Sequence, residues 1–530
     1  MNTPHDDPTV HDFLSRNGDR SAAATLTGWQ WIRFHALLLL AAAFYAYDWK
    51  MFLAAVLFLA AAFYAFVAGY KLLTLFISVI FRPSVSVSPA DLLEFEAQQS
   101  TWPIYTILLP LYHEPLVAQK LMRAMAAIDY PPDRLDIKLL LEEDDIDTRR
   151  RCAEMELPAC VEVVVVPHSM PKTKPKACNH GLARAKGEFL VIFDAEDRPD
   201  PDQLKKAVCA FRRLPERYAC LQAKLNYYNP RQNWLTRFFT LEYTAWFDLF
   251  LPGLVSLGVP IPLGGTSNHF RIRAIQKAGG WDPFNLTEDC DLGIRLHEMG
   301  FRTHVLESTT WEEANAQLGN WIRQRSRWVK GYFQTHLAHT RSHAKAIWRL
   351  GPAGYASFLA TVGGLSLSLL LNPFFWAAGL VFLGLWGGSV FGLTPEPWQL
   401  RYNDTVGDLP GAPLTFWSRL SWWFWYAAVA LAWANIAFIL TNVFAAIRRR
   451  YWNMLFYAFL SPLYWVLISL AAWKGFLQLF TRPFYWEKTK HGLDGDRLDE
   501  GQEGSASLKG TSINSHFVRN RGMSSGNNVL

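Results

Sequence analysis

Long apolar runs on both sides of a polar middle section are the feature that most constrains how this chain can fold. Ahead of that section, one run covers Trp31 to Trp49, and a second covers Met51 to Tyr70 and is extended by Lys71 to Phe81. Each run is close to the ~20 residues that a helix needs to cross a hydrocarbon core. Only a short link with Asp48 and Lys50 joins them, so the pair predicts a transmembrane hairpin; two buried helices of a soluble domain are the alternative.

Three more apolar runs follow the middle section, at Tyr355 to Leu393, Ser421 to Ile447 and Met454 to Phe480. The triple Arg448-Arg449-Arg450 is expected to face the cytoplasm, because loops rich in Lys and Arg stay on that side of a membrane. A simple hairpin count places the triple on the opposite side. We therefore expect one of the late runs to be re-entrant or interfacial, and the number of crossings stays open.

The composition favours a multi-pass protein of the inner (plasma) membrane. Aromatic residues make up 15% of the chain and include 23 Trp, an excess typical of membrane-interface belts. The net charge of +6 is small and no basic arm alternates with stacking aromatics, so we expect membrane lipids but no nucleic acid as partners. All six cysteines fall in the middle section without metal-type spacing, which suits free thiols in the reducing cytoplasm.

The middle section has the pattern of a βαβ domain. Short β-type runs begin at Tyr105, Ile137, Val161 and Phe189, and segments with helical spacing, such as 202–214, separate or follow them. This alternation predicts an α/β fold that is Rossmann-like, with a mostly parallel sheet. Ligands of such sheets bind beyond the carboxyl ends of the strands.

The α/β domain is therefore inserted between helical membrane segments. The expected parts of the chain are a polar cytoplasmic segment (1–30), a transmembrane hairpin (31–81), the α/β domain with interfacial helices (102–332), a second membrane region (350–480), a polar and aromatic segment (481–493) and a disordered tail (494–530).

An acidic loop, Asp194-Ala195-Glu196-Asp197, follows directly on the strand that begins at Phe189. Two carboxylates spaced one residue apart can share Mg²⁺ or Mn²⁺ with a substrate diphosphate, because these cations prefer oxygen ligands. A merely solvated loop is the alternative.

Two further acidic sites have the same placement. Glu142-Glu143-Asp144-Asp145 follows a strand, and its carboxylates either accept hydrogen bonds from a nucleotide base and ribose or enrich a helix N-terminus in acid. Thr287-Glu288-Asp289 opens a helical stretch. Capping explains it locally, whereas the functional interpretation makes Asp289 a general base.

The run Gln324-Arg325-Ser326-Arg327-Trp328 lies on an amphipathic helix that begins near Leu318. Its two arginines can match phosphate oxygens bidentately, and its tryptophan can stack on the face of a sugar. A surface helix with interfacial Trp and Arg is the alternative.

In order and spacing, these four features resemble the family 2 glycosyltransferases with a GT-A fold, in particular the membrane-integrated branch of cellulose, curdlan and hyaluronan synthases. The resemblance covers about 105–328. It implies an inverting hexosyltransferase that uses a nucleotide sugar, a UDP-hexose such as UDP-glucose, and extends a β-glycan. It also implies a divalent metal, Mg²⁺ or Mn²⁺.

The resemblance assigns roles residue by residue. Asp289 would be the catalytic base, Asp194, Glu196 and Asp197 the metal loop, and Glu288, Trp328 and Asn268 the acceptor contacts. The donor contacts would be Glu142, Glu143, Asp145, Lys176, Asn179, Asp194, Gln324, Arg327 and Trp328.

Two positions depart from the family pattern. The third position of the acidic loop is Glu196 where the family usually has Asp, and Asp197 is adjacent, so either carboxylate can be the second ligand. The first site has Glu142-Glu143-Asp144-Asp145 where many relatives have Asp-Asp-Gly, and we favour Glu143 there.

Three segments bear on substrates less specifically. Leu263 to Asn268 is either the acceptor end or a glycine turn, and Trp234 to Leu251 is either an interfacial or a buried helix. The segment from Arg482 onward loosely resembles the gating loop of processive synthases. Lys488 and Thr489 would contact the nucleotide there, whereas a plain membrane exit is the alternative.

The motifs do not identify the acceptor. A growing glycan and a lipid both suit the same motifs, so the product is a β-glycan or a glycolipid. A transporter or channel would place ionisable residues inside its spans, and the late apolar runs carry almost none apart from Lys474.

Overall fold

An eight-stranded sheet forms the centre of the α/β domain in the computed structural model, which describes residues 7–81, 83–98, 101–115, 117–391 and 416–488. The order across the sheet is β3-β2-β1-β4-β7-β6-β8-β5. The strands are β1 (Tyr105–Leu111), β2 (Leu135–Glu142), β3 (Val161–Val166), β4 (Phe189–Ile192), β5 (Arg198–Pro199), β6 (Tyr218–Tyr227), β7 (Asn268–Arg271) and β8 (Arg302–Glu312).

The sheet is mixed but mostly parallel, which confirms the predicted α/β class. Strands β3, β2, β1 and β4 run parallel to one another, and β6 and β8 form another parallel pair. Strand β7 is antiparallel to β4 and β6, and β5 is antiparallel to β8. All residues of β2 are buried, as expected for a parallel strand that is covered on both faces.

Strand β6 was not predicted, because several buried side chains in the middle of the strand are polar. Gln222 donates from Nε2 to the carbonyl of Thr266 at 3.1 Å, and the Lys224 ammonium lies 3.0 Å from Asp248. Both side chains are buried. Buried polar groups must be hydrogen-bonded or paired, and their partners here come from distant parts of the chain. The sequence pattern therefore conceals a strand that tertiary contacts make stable.

Helices cover the sheet and flank the domain. Those before and within the domain are α1 (Pro8–Asn17), α2 (Gly28–Tyr47), α3 (Trp49–Phe81), α4 (Pro89–Gln98), α5 (Val117–Ala126), α6 (Ile146–Ala153), α7 (Lys174–Ala183), α8 (Gln203–Arg213), α9 (Trp234–Thr244), α10 (Leu251–Leu257), α11 (Ile272–Ala278), α12 (Glu288–Glu298) and α13 (Leu318–His339). Those after it are α14 (His343–Phe358), α15 (Gly364–Val390), α16 (Phe416–Arg448), α17 (Leu455–Phe459) and α18 (Ser461–Thr481).

Among the described residues, three helical stretches are long and apolar enough to cross a membrane: Trp49–Phe81, His343–Ala377 and Ser461–Thr481. The part of α16 from Ala432 to Arg448 is a shorter apolar helix. Arg449 at the end of α16 donates to the Asp248 carboxylate of the segment between α9 and α10. The arginine triple therefore lies on the side of the α/β domain.

Helix α18 lies alongside α13 rather than apart from it. The ring of Tyr464 is 5.3 Å from that of Trp321, and the backbone of Gly475 contacts the Ser326 carbonyl. The same helix is one of the three stretches that are apolar enough to cross a membrane, so the expectation of an interfacial late run stays a prediction.

The segment before α2 is folded onto the α/β domain, which the polar sequence of residues 1–30 did not predict. Asp7 caps α1 through the amide of Thr9 at 2.9 Å, and its other carboxylate oxygen accepts from Ser169 at 2.8 Å. The backbone amide of Ala22 donates to Asp282 at 2.6 Å. These contacts fix the entry to α2 relative to the sheet.

A buried charge cluster joins this N-terminal segment to α12 and α13. Asp291 accepts from Arg295 at 2.7 Å and from His339 at 2.8 Å. The other ring nitrogen of His339 lies 3.1 Å from Glu298, which also pairs with Arg20. Burial alone would lower the pKa of His339, but its hydrogen bonds to the two carboxylates raise that pKa to about 9.

We predict that this cluster makes stability depend on pH between about 6.5 and 9. The pKa of His339 is higher in the folded protein than the ~6.5 of an unfolded chain, so its contribution is complete below 6.5 and is lost as the pH rises through 9. The thermal unfolding midpoint of the solubilised protein should fall across that range. His339→Gln, which cannot ionise, should show a flatter profile, and an equal slope in that variant would contradict the assignment.

Candidate active site

A cavity of about 1030 Å³ runs from the carboxyl ends of the strands to the candidate membrane helices. On the sheet side it is lined by the acidic loop, the start of α12 and the face of α13. On the other side it is lined by Lys71 of α3, Asn372 of α15, Asn435 of α16 and Trp465 of α18. The same cavity therefore connects the expected catalytic residues with the apolar helices.

Of the donor residues expected in the first acidic site, Glu142 lines the cavity, and Glu143 and Asp145 do not. Asp145 caps α6 by accepting from the amide of Thr148 at 3.2 Å, and Glu143 accepts from the amide of His168 at 2.9 Å. The preference for Glu143 is therefore not supported by the geometry. Burial raises the pKa of Glu142, although the Lys176 ammonium lies 3.1 Å away.

Lys176 and Asn179 lie behind the cavity wall. Lys176 is fully buried and donates to the carbonyls of Pro167 and Ser169, each at 3.2 Å. The amide group of Asn179 both donates to the Trp281 carbonyl at 2.8 Å and accepts from the Trp281 amide at 2.9 Å. Both side chains thus position loops around the site instead of facing it.

Two other lysines, Lys172 and Lys174, face the cavity and were missed from the sequence. Lys174 donates to the Gly265 carbonyl at 2.7 Å and pairs with Asp194. Lys172 pairs with Asp144. Lys172 lies in the loop before α7 and Lys174 is the first residue of that helix. Neither position gave a separate signal, because lysines in such places are usually solvated.

The three carboxylates of the acidic loop have different environments. Asp194 and Glu196 line the cavity. Asp197 turns inward, where one carboxylate oxygen accepts from the Asp194 amide at 2.6 Å and from the Thr266 hydroxyl. Its other oxygen, Oδ1, is buried and has no hydrogen-bond partner among the residues that the structure describes. Burial, together with Asp194 and Glu196, raises the pKa of Asp197 well above its usual value.

Glu288 and Asp289 occupy the first turn of α12 and line the cavity. Thr287 does not cap that turn with its side chain, contrary to the local interpretation of the sequence. At Gly331 of α13 a Cβ atom would lie 2.7 Å from the Thr287 amide nitrogen, so glycine is needed for α13 to approach α12 this closely. Burial raises the pKa of both carboxyl groups, and their mutual repulsion raises that of Glu288 further.

The arginines of α13 have separate partners. Arg327 lines the cavity, and its guanidinium lies 4.3 Å from the ring centroid of Trp486. Arg325 instead donates both Nη groups to Glu242 of α9, one of them at 2.8 Å. The expected pair of phosphate-matching arginines is therefore reduced to Arg327.

Gln324 and Trp328 also line the cavity. Gln324 accepts from Asn315 at 2.9 Å, which orients its amide group. The ring of Trp328 lies 6.2 Å from that of Tyr243. Trp328 and Tyr243, which both line the cavity, form an aromatic wall.

The expected acceptor residue Asn268 lies outside the cavity. It is buried and donates to the Gly264 carbonyl, whereas Gly264, Gly265 and Thr266 form the cavity wall. The segment Trp234 to Leu251 is mostly buried by protein: the ring of Phe238 stacks on Tyr464 at 5.2 Å. The buried-helix alternative describes it better than an interfacial helix in contact with lipid.

The segment after α18 covers one end of the cavity. Lys330 of α13 holds it by donating to the carbonyls of Arg482 and Tyr485 at 3.2 and 2.9 Å. Lys488 reaches the loop after β1, where its ammonium donates to the His113 carbonyl at 3.0 Å and lies 3.3 Å from Glu114. Thr489, and the expected tail at 494–530, lie outside the described residues.

Glu312, the last residue of β8, also lines the cavity and was missed. Burial and the carboxylates of Asp197, Glu196 and Asp194 raise its pKa well above the usual value. An acid at the end of a strand is the same signal that identified the other acidic sites. It was concealed because the strand itself was not predicted.

The acidic loop fits a divalent cation only with help from a substrate. In the described residues, no group of three or more His, Cys, Asp or Glu side chains is arranged to hold a metal ion. Asp194 and Glu196 nevertheless present carboxylates to the cavity, and Mg²⁺ is commonly bound by one or two carboxylates plus substrate phosphates. The residues present match that mode of binding.

We predict that Asp197 stabilises the loop through its hydrogen bonds. Asp197→Ala leaves the Asp194 amide and the Thr266 hydroxyl without their acceptor, which should cost about 1–3 kcal/mol in the free energy of unfolding. Asp197→Asn keeps an acceptor oxygen and should cost much less. Glu196→Gln is the matched control, measured by denaturant unfolding, and equal destabilisation by Asp197→Ala and Glu196→Gln would contradict the prediction.

All six cysteines are free thiols, as predicted, and five of them are buried. Burial raises the pKa of Cys152 to about 11, so this thiol is not activated as a nucleophile. Cys290 lines the cavity, and burial raises the pKa of its thiol well above the usual value as well.

Comparisons with known proteins match the part of the chain that contains the α/β domain. Residues 103–331 match the family described as "Glycosyltransferase like family 2". A probable glycosyltransferase of Bacillus subtilis (YdaM) is 28% identical over 43% of this chain and 55% of its own. A β-monoglucosyldiacylglycerol synthase of Trichormus variabilis is 27% identical over 45% of this chain and 51% of its own.

A glucomannan 4-β-mannosyltransferase of Arabidopsis thaliana is 27% identical over 39% of this chain and 40% of its own. The chain thus spans about half the length of the curated relatives it matches. The match covers the sheet, the acidic sites and most of α13, which are the parts that line the cavity from the side of the strands. Residues 103–331 therefore form a glycosyltransferase family 2 domain.

Proposed function

We propose that this protein is an inverting glycosyltransferase of the inner membrane that moves a hexose from a UDP-hexose, such as UDP-glucose, to a growing β-glycan. The observation that carries the proposal is the single cavity that Asp289, the acidic loop and Arg327 share with the candidate membrane helices. Donor groups and an acceptor path thereby meet at one place. The six free cysteines support a cytoplasmic position for the domain.

The donor diphosphate would lie between the acidic loop and the cations. Arg327, Lys172 and Lys174 line the cavity and are positioned to attract a diphosphate. A Mg²⁺ or Mn²⁺ ion held by Asp194 and Glu196 would offset the charge that develops on the leaving nucleoside diphosphate. The Trp486 ring on Arg327 limits the freedom of that guanidinium and excludes water from one side.

Asp289 would accept the proton of the acceptor hydroxyl as its oxygen attacks the anomeric carbon and the bond to the diphosphate breaks. Because the acceptor oxygen displaces the diphosphate in a single step, the configuration at the anomeric carbon is inverted. Burial raises the pKa of Asp289, which makes its carboxylate a better proton acceptor near neutral pH. Glu288 and Trp328 line the same region and would contact the acceptor sugar.

A lipid acceptor is the second candidate. The cavity wall away from the sheet comes from α3, α15, α16 and α18, so an acceptor can enter between apolar helices. One relative is named a β-monoglucosyldiacylglycerol synthase and another a glucomannan 4-β-mannosyltransferase, which supports lipid and glycan acceptors equally. The resemblance to the polymer-forming branch favours the glycan.

The proposal is tested by incubating purified protein in native-like membranes with a panel of labelled UDP- and GDP-hexoses, then separating lipid-soluble from polymeric product. We predict transfer from a UDP-hexose into polymer, and its arrest by excess chelator. Asp289→Asn should lower the rate ~10²–10⁴-fold while donor affinity stays nearly unchanged.

Asp291→Asn is the matched control, because this neighbouring carboxylate is buried against Arg295 and does not line the cavity. It should lower the unfolding midpoint without the selective loss of turnover. Near-normal turnover by Asp289→Asn would reject its role as base. A product found only in the lipid fraction would replace the glycan with the lipid acceptor.

We predict that Lys488 keeps the segment after α18 closed over the cavity. Lys488→Ala removes its contacts with the His113 carbonyl and Glu114, so turnover should fall about tenfold or more and donor hydrolysis should rise as water enters. Lys186→Ala, at an exposed lysine that does not line the cavity, is the control. Wild-type kinetics and hydrolysis in Lys488→Ala would leave the segment a plain membrane exit, and Thr489→Ala extends the same test.

A further inference from the structure

Glu312 is placed beside the acidic loop by the pairing of its strand. In the antiparallel pair of β5 and β8, Pro199 lies opposite Thr310 and Arg198 opposite Trp311. Glu312 follows Trp311 at the end of β8, and Asp197 directly precedes β5, so the two residues flank the last pair of this register. On its other side β8 is parallel to β6, with Glu312 beside Tyr227.

The backbone carbonyl of Glu312 is hydrogen-bonded, whereas in the described residues one oxygen of its carboxyl group is not. Its carbonyl accepts from the Tyr228 amide at 3.0 Å. Its side-chain Oε1 is buried and has no hydrogen-bond partner within the described part of the chain. Glu312 is also one of the residues that line the cavity. Buried polar atoms without partners are rare in folded proteins, and a ligand commonly supplies the missing bond.

The surroundings of Glu312 indicate the chemistry of that ligand. The charged groups that act on it most strongly are Asp197, Glu196 and Asp194. In the proposed function the diphosphate is held through a divalent cation at Asp194 and Glu196, so Glu312 is left to a neutral group rather than to a second anion. A sugar hydroxyl is neutral and donates a hydrogen bond. Tyr243, whose ring lies 6.2 Å from that of Trp328, is also close enough to Glu312 for the two to interact.

We propose that Glu312 binds a hydroxyl group of the donor hexose and contributes to the choice of sugar. This inference rests on the proposed function, in which the acidic loop holds the donor diphosphate. The hexose is attached to that diphosphate, and Glu312 lies where the acidic loop and the aromatic wall meet. Nothing in the proposed proton transfer uses Glu312, so its role is recognition.

The test compares nucleotide with nucleotide sugar. Full-length protein in detergent with Mg²⁺ is titrated calorimetrically with UDP and with UDP-glucose. Glu312→Ala should weaken UDP-glucose binding on the order of tenfold or more, because a hydrogen bond to a carboxylate is lost, and should leave UDP binding within about twofold. Glu312→Gln, which keeps an acceptor oxygen, should lose less. Glu313→Gln is the matched control, because the adjacent acid does not line the cavity.

Monodeoxy analogues of UDP-glucose then identify the hydroxyl. Wild-type protein should bind one analogue less tightly than UDP-glucose, and Glu312→Ala should bind that analogue and UDP-glucose equally. Such coupling is the signature of a direct contact, which a structural role would not produce.

Several outcomes overturn the inference. Equal losses for UDP and UDP-glucose would mean that Glu312 supports the acidic loop. Unchanged UDP-glucose binding with a raised KM for acceptor would assign Glu312 to the acceptor instead. Failure of the wild type to bind UDP-glucose or any other UDP-hexose would overturn the proposed function and the inference together. Binding by the wild type with no effect of Glu312→Ala would overturn the inference alone.

Discussion

The ion pair between Arg325 and Glu242 joins the three parts of the molecule that enclose the cavity. Arg325 belongs to α13 of the α/β domain, and Glu242 belongs to α9. The hydroxyl of Tyr464, on α18, donates to the same carboxylate at 2.8 Å. Removing one partner of a buried pair leaves an uncompensated charge, which is strongly destabilising. The pair therefore links α18, a candidate membrane helix, to α9 and α13 of the α/β domain.

Aromatic packing around that pair determines where Trp328 lies. The Arg325 guanidinium is 4.7 Å from the Trp328 ring centroid and 4.4 Å from that of Phe239. Cation–π contacts of this kind are stronger when desolvated, as here. The position of the Trp328 ring is consequently supported by Arg325, whose guanidinium is paired with Glu242. Arg327 lines the same cavity and has the Trp486 ring as its neighbour.

The electrostatics of the cavity are dominated by carboxylates. Asp194, Glu196, Glu288, Asp289 and Glu312 all line it, and among the described cations Lys174 lies closest to this group, paired with Asp194. Burial and mutual repulsion raise the pKa of Glu288 and Glu312. Carboxylates of this kind suit divalent cations and neutral hydrogen-bond donors. Under the proposed function, the diphosphate would lie on the side of Arg327, Lys172 and Lys174.

The α/β class, the four strands from β1 to β4, the free cysteines and the three clusters of acidic residues are visible in the sequence. These follow from local signals, because apolar runs and acids at strand ends are visible without knowledge of the fold. The polar strand β6 and the acid at the end of β8 could not be predicted, since their buried side chains depend on partners distant in the chain.

Which members of each motif face the cavity is visible only in the folded protein. Glu142 lines it and Glu143 does not, and Asp197 turns inward while Glu196 stays outward. Two adjacent acidic residues look equivalent in the sequence, but their side chains point to different sides of the backbone. Their roles therefore depend on the partners that the fold brings to each side, such as Glu242 for Arg325.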